Sequence, residues 1–129
     1  MSSNLRTPTA QVRGLGASRS GTNHYIKQRV SAIGLVFLIP WFVISGLISV
    51  KGGYASFMDW LSGPVNVFLL MATLGAALYH MRLGVQTVIE DYISKVGTRQ
   101  ALLIANTFFV IGVFAVAVLA VLHIWLTAR

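Results

Sequence analysis

The sequence predicts an all-α integral membrane protein with three transmembrane helices, and three observations carry that expectation. Hydrophobic residues make up 56% of the 129-residue chain and charged residues only 10%, where a soluble domain carries about 25% charge. A chain this short exposes a large share of its surface, so lipid has to cover what charge does not. Three apolar stretches each approach or exceed the roughly 20 residues a helix needs to cross a hydrocarbon core. Lys and Arg also gather on one side of those stretches, the asymmetry that orients membrane proteins.

The first span runs from Ser31 to Val50 without a charge. Pro40 lies inside it and should kink it, which membrane helices tolerate. Trp41 sits away from either interface and should pack inward. A polar loop is expected over Lys51 to Gly63, with Tyr54 and Trp60 suited to an interfacial belt. The second span, 64–89, starts at Pro64, a good first-turn residue. It stays apolar to Tyr79 and then continues through His80, Arg82 and Gln86 to Asp91 and Tyr92. The third span runs from Ala101 to Leu126, with His123 and Trp125 at its far interface. The chain thus divides into a basic N-terminal segment, 1–30, and a three-helix anchor domain, 31–126.

The net charge is +7, and residues 1–30 hold Arg6, Arg13, Arg19, Lys27 and Arg29 with no acid. Such a segment could belong to a nucleic-acid binder or a mitochondrial presequence. Ahead of three spans it reads more simply as a cytoplasmic segment that obeys the positive-inside rule. Lys95 and Arg99 mark the second loop, while Lys51 and Arg129 lie on the other side. The N-terminus and the second loop therefore face the cytoplasm, and a bacterial inner membrane is the expected location. The absence of cysteine excludes disulfides, thiolate metal sites and iron–sulfur ligation by this chain. A bound cofactor would have to use His, Met or oxygen ligands.

At about 100° per residue, His80 and Asp91 fall on nearly one azimuth of the second helix. Thr73, Ala76, Ala77, Gly84 and Thr87 share that stripe, with Leu69, Leu78, Val85 and Ile89 opposite. Small residues admit a neighbouring backbone or a flat cofactor, and a plain helix–helix interface is the bland reading of them. His80 adds a polar group inside a span, which is costly and normally functional. Three roles are open to it: a structural cross-helix hydrogen bond, a proton relay, or an axial haem ligand. Gly84, one turn along, would leave room for a porphyrin edge.

Asp91 and Tyr92 close the helix at the cytoplasmic interface, either as a solvated acid and an aromatic anchor or as a polar pair presented to a ligand. A Tyr hydroxyl can donate a hydrogen bond to a quinone carbonyl and supply a proton. Arg29 is either a positive-inside anchor or a partner for a propionate or quinone. His24 would share that interface. Asn106, inside the third span, has no role legible in the sequence.

The run from His80 to Tyr92, HMRLGVQTVIEDY, resembles the hydrophobic membrane-anchor (D) subunit of succinate dehydrogenase. His80, Gly84, Gln86, Asp91 and Tyr92 carry the likeness, and the His-to-Asp-Tyr spacing is its specific part. A second match, GTNHYIKQR from Gly21 to Arg29, places a His five residues before an Arg. The resemblance implies that His80 is one axial ligand of haem b, with the other from a cytochrome b556 (C) subunit. It implies that Tyr92 hydrogen-bonds ubiquinone beside Asp91, that Gly84 packs against the haem, and that Arg29 approaches a propionate. The chain would then be a non-catalytic subunit of succinate:quinone oxidoreductase, part of a heteromeric helical bundle. Succinate oxidation would sit on a flavoprotein subunit, with electrons passing through an iron–sulfur subunit. Two rival classes compete with this reading: a small proton-conducting or transporter subunit using His80 and Asp91, and a cofactor-free structural anchor. Spans one and three are nearly bare of the polar residues a transport path needs.

Overall fold

A computed structural model describes residues 7–9 and 21–127. Arg6, Arg13, Arg19 and Arg129, which helped set the expected orientation, lie outside them. The described chain from Gly21 onward is all helical: α1 (Gly21–Lys51), α2 (Gly53–Ser62), α3 (Pro64–Tyr92) and α4 (Val96–Thr127). The three long helices have 31, 29 and 32 residues, each longer than a bilayer crossing needs.

Each long helix outruns its expected span because charge ends a hydrophobic stretch without ending a helix. α1 begins ten residues before Ser31 and takes in His24, Lys27 and Arg29. Nothing in that run breaks a helix, since Lys, Gln and Arg all favour one. Pro40 lies inside α1, where it removes one backbone donor. α3 starts with Gly63 extended at φ −66°, ψ 126° and Pro64 in the first turn, where the missing N–H is no loss. It ends when Ile93 turns extended, its N–H donating to the Ile89 carbonyl.

The segment expected as a polar loop is instead largely helical. α2 occupies Gly53–Ser62 and packs against all three long helices. Its entry is a glycine pair. Gly53 has φ +82°, a left-handed conformation that costs other L-residues about 1–2 kcal/mol. A Cβ on Gly52 would stand 2.6 Å from the Ser56 Cβ. Trp60 corrects a second expectation. It is stacked against Trp41 (6.0 Å, 28°) and Phe57 (6.0 Å, 15°), so it faces the bundle rather than a lipid interface. Trp41 packs inward on it, as expected, while Tyr54 is 80% exposed.

The packed core is thin. Its buried hydrophobic residues are Leu35, Leu70, Leu83, Ile89, Val110 and Val121, and only 11% of each span's most apolar stretch is buried. The helices are apolar on faces that no other part of the described chain covers. Lipid or other protein has to cover them, because exposed apolar area of this extent is unfavourable in water.

Candidate functional site

Polar pairs at matched spacing join α1 to α3. His24 Nε2 lies 3.2 Å from Thr87 Oγ1, and Ser31 Oγ lies 3.0 Å from His80 Nδ1. Between them, the Gln28 amide nitrogen is the nearest group to the space a Cβ on Gly84 would occupy, at 3.9 Å. Moving seven residues forward on α1 moves seven residues back on α3, the signature of an antiparallel pair. A seven-residue repeat is two turns of helix, about 10.5 Å, and fits a shallow crossing angle. Three members of the stripe expected on α3, His80, Gly84 and Thr87, thus face α1, whereas Asp91 is exposed and Ile89, expected on the opposite side, is buried.

His80 is half-buried in the middle of this contact. Ser31 donates its hydroxyl hydrogen to the Gln28 carbonyl at 2.9 Å and approaches His80 at 3.0 Å. Among the described residues, Nε2 of His80 has no hydrogen-bond partner. Gly84 sits one turn away with only the flexible end of Gln28 near it. Nothing in this chain requires a glycine there, since an added Cβ would make ordinary contact. A free imidazole nitrogen beside an open glycine suits a flat group with an electrophilic metal at its centre.

The opposite side of α3 is tied to α4. Asn106 Nδ2 donates to the Arg82 carbonyl at 3.0 Å, and Arg82 Nε donates to Thr107 Oγ1 at 3.2 Å. These bonds give Asn106 the role the sequence did not reveal: it fixes the register of α4. They also occupy one guanidinium donor inside the span, where an unpaired one is costly.

Asp91 and Tyr92 are both exposed at the last turn of α3. Tyr92 is 82% exposed, and the pair stands about 16–18 Å along the helix from His80. Gln86 turns away from the stripe and donates to Glu90 Oε1 at 2.8 Å. Arg29 is exposed, its guanidinium 5.1 Å from the centre of the Tyr25 ring, a cation–π contact. Two positions from Ser31, it points about 160° around α1, away from His80. His24 does not share its surroundings, because it reaches Thr87 instead. His123 is exposed near the end of α4. At that far end an apolar cavity of about 450 Å³ lies between Phe42, Gly46, Phe57, Trp60, Leu61 and Leu70. It is remote from His80, and its lining offers no carboxylate or hydroxyl.

Fold and site together define a helical membrane anchor with a half-buried histidine, His80, midway along its second long apolar helix. Among the described residues no cluster of three or more His, Cys, Asp or Glu side chains could hold a metal ion. The chain belongs to the succinate dehydrogenase/fumarate reductase transmembrane subunit family, whose sequence model matches residues 3–124. It is 33% identical over 124 residues to the succinate dehydrogenase hydrophobic membrane anchor subunit of Rickettsia bellii, covering 95% of this chain and 98% of that one. It is 34% identical over 107 residues to the Rickettsia felis protein of the same name, covering 83% and 89%. The Paracoccus denitrificans protein of that name is 29% identical over 122 residues, covering 95% and 94%. No solved structure matches the chain.

Proposed function

We propose that this chain anchors succinate dehydrogenase in a bacterial inner membrane, holds haem b through His80 and completes the ubiquinone site at Tyr92. The observation that carries this reading is His80 itself, held in mid-span through Nδ1 with Nε2 unpaired beside the open Gly84. Haem b, when bound, supplies a one-electron carrier within the bilayer. His80 would give one nitrogen to hold the iron, and a cytochrome b556 subunit would give a second ligand. Gly84 would leave room for a flat macrocycle beside His80. Arg29, exposed and in contact with Tyr25, would supply the cation for a propionate by swinging out of that contact.

Tyr92 would act on the quinone. Reduction of ubiquinone to ubiquinol takes two electrons and two protons, and its carbonyl oxygens gain negative charge on the way. A phenol that donates a hydrogen bond to such an oxygen binds it more strongly as that charge develops. Asp91, adjacent and open to water, can return a proton to Tyr92 after transfer. The electrons would come from succinate, oxidised on a flavoprotein subunit and delivered by an iron–sulfur subunit. The cytoplasmic side would hold those subunits, the N-terminus and Tyr92 together.

The test is a dithionite-reduced minus oxidised spectrum of the co-purified complex. A b-type haem should be present in the wild type and lost or strongly altered in His80→Leu, because a ligand to the iron would be gone. An assembled His80→Leu complex with an unchanged spectrum would show that another residue holds the iron.

A further inference from the structure

We propose that Ser31 is a positioning residue for His80: its hydroxyl oxygen accepts the Nδ1 hydrogen and thereby leaves Nε2 as a bare lone pair aimed away from α1. The inference rests on the haem reading above and extends it to a residue on another helix.

The argument is a count of hydrogens. Ser31 has one donor hydrogen and can accept in addition. Two arrangements fit its distances of 2.9 Å to the Gln28 carbonyl and 3.0 Å to His80 Nδ1. In the first, Ser31 donates to the carbonyl and accepts from Nδ1–H, so both hydrogens have acceptors and Nε2 carries none. In the second, Ser31 donates to Nδ1 and the imidazole hydrogen moves to Nε2, where no described residue accepts it. A stranded N–H in an apolar span costs more than a satisfied one, so the first arrangement prevails. A metal needs the bare nitrogen. Histidine ligands almost always donate their other N–H to an oxygen that fixes tautomer and ring angle and raises ligand basicity. Ser31 is that oxygen, and the Gln28 carbonyl fixes Ser31 in turn. His24 and Thr87 hold the same two helices one repeat away, so the Ser31–His80 spacing does not depend on the ligand.

The experiment compares Ser31→Ala and Ser31→Thr in the co-purified complex. Haem retention is measured against an excess of apomyoglobin as scavenger, and the haem midpoint potential by redox titration. Ser31→Ala should hold haem about 10–100-fold less tightly. It should also raise the potential, because a less basic imidazole stabilises the ferric state less. Ser31→Thr keeps the hydroxyl and should restore both. As a measurement that leaves Ser31 unchanged, ¹⁵N-histidine spectra of the reduced wild-type complex should give His80 a protonated Nδ1, with the signal assigned by its loss in His80→Gln. Haem present but unmoved by Ser31→Ala, or an unprotonated Nδ1, would overturn the role of Ser31 alone. A wild-type complex without b-type haem would overturn the haem reading and this inference with it.

Discussion

On the proposed reading, removing one oxygen from Tyr92 separates quinone chemistry from everything else the subunit does. Tyr92 is 82% exposed and ends α3, and no hydrogen bond of its hydroxyl to a described residue would be lost. Tyr92→Phe should therefore change stability by no more than about 0.5 kcal/mol, the usual range for a surface substitution, and the complex should assemble normally. The effect on turnover is of another order. Losing a donor aimed at an oxygen that gains charge costs about 2.7–4 kcal/mol, or roughly 10²–10³ in rate. Water at this exposed position can replace part of the lost bond, so the lower end of that range is expected. The assay is the ratio of succinate:quinone activity to succinate oxidation by a dye that accepts electrons upstream. The dye rate should stay at its wild-type value while the ratio falls about a hundredfold. A ratio equal to wild type in an intact complex would refute the reasoning and leave Tyr92 as an interfacial anchor.

Other predictions follow from the same geometry. Arg29→Leu should lower the haem potential, because loss of a nearby cation makes reduction harder; an unshifted redox titration would return Arg29 to the role of a membrane anchor. Gly53→Ala should destabilise the bundle by roughly 1–2 kcal/mol. Space is not the obstacle, since nothing stands within 4 Å of the added Cβ, and φ +82° is; detergent unfolding curves measure the loss. A reporter active only in the periplasm should give signal when fused after Arg129, and a silent one there with an active one at the N-terminus would invert the topology.

The three spans were legible in the sequence because an unbroken apolar stretch is a strong signal, and the start of α3 at Pro64 was legible from the special place of proline in a first turn. Part of the α3 stripe was legible too, since His80, Gly84 and Thr87 keep one azimuth whatever packs on them. α2 was missed for a specific reason. Gly52 and Gly53 read as loop residues, yet they mark only the turn into a short helix. The signal that could have found it was Tyr54, Phe57, Trp60 and Leu61, spaced to give one apolar side. Trp60 was misplaced because its stacking partner Trp41 is 19 positions away, and belt composition says nothing of tertiary neighbours. Ser31 and Thr107 were invisible for the same reason. A serine in a span has no chemistry of its own until the register of two helices puts it against His80.

The seven-residue spacing of the α1–α3 rungs also works as a vernier. A slide of one turn breaks both rungs at once, so small errors of alignment find no foothold. A slide of seven residues is the more dangerous error, because the repeat matches itself. In one direction it would set Leu38 against His80 and strand the imidazole. In the other it would set His24 against His80 and Ser31 against Thr73, all polar groups that could pair. That second slide carries α1 about 10.5 Å along its neighbour and pulls Lys27 and Arg29 into the hydrocarbon, at about 2.5–3.5 kcal/mol for each charge that reaches the centre. The basic turn of α1 thus acts as a stop for the alignment that the polar rungs alone would leave degenerate.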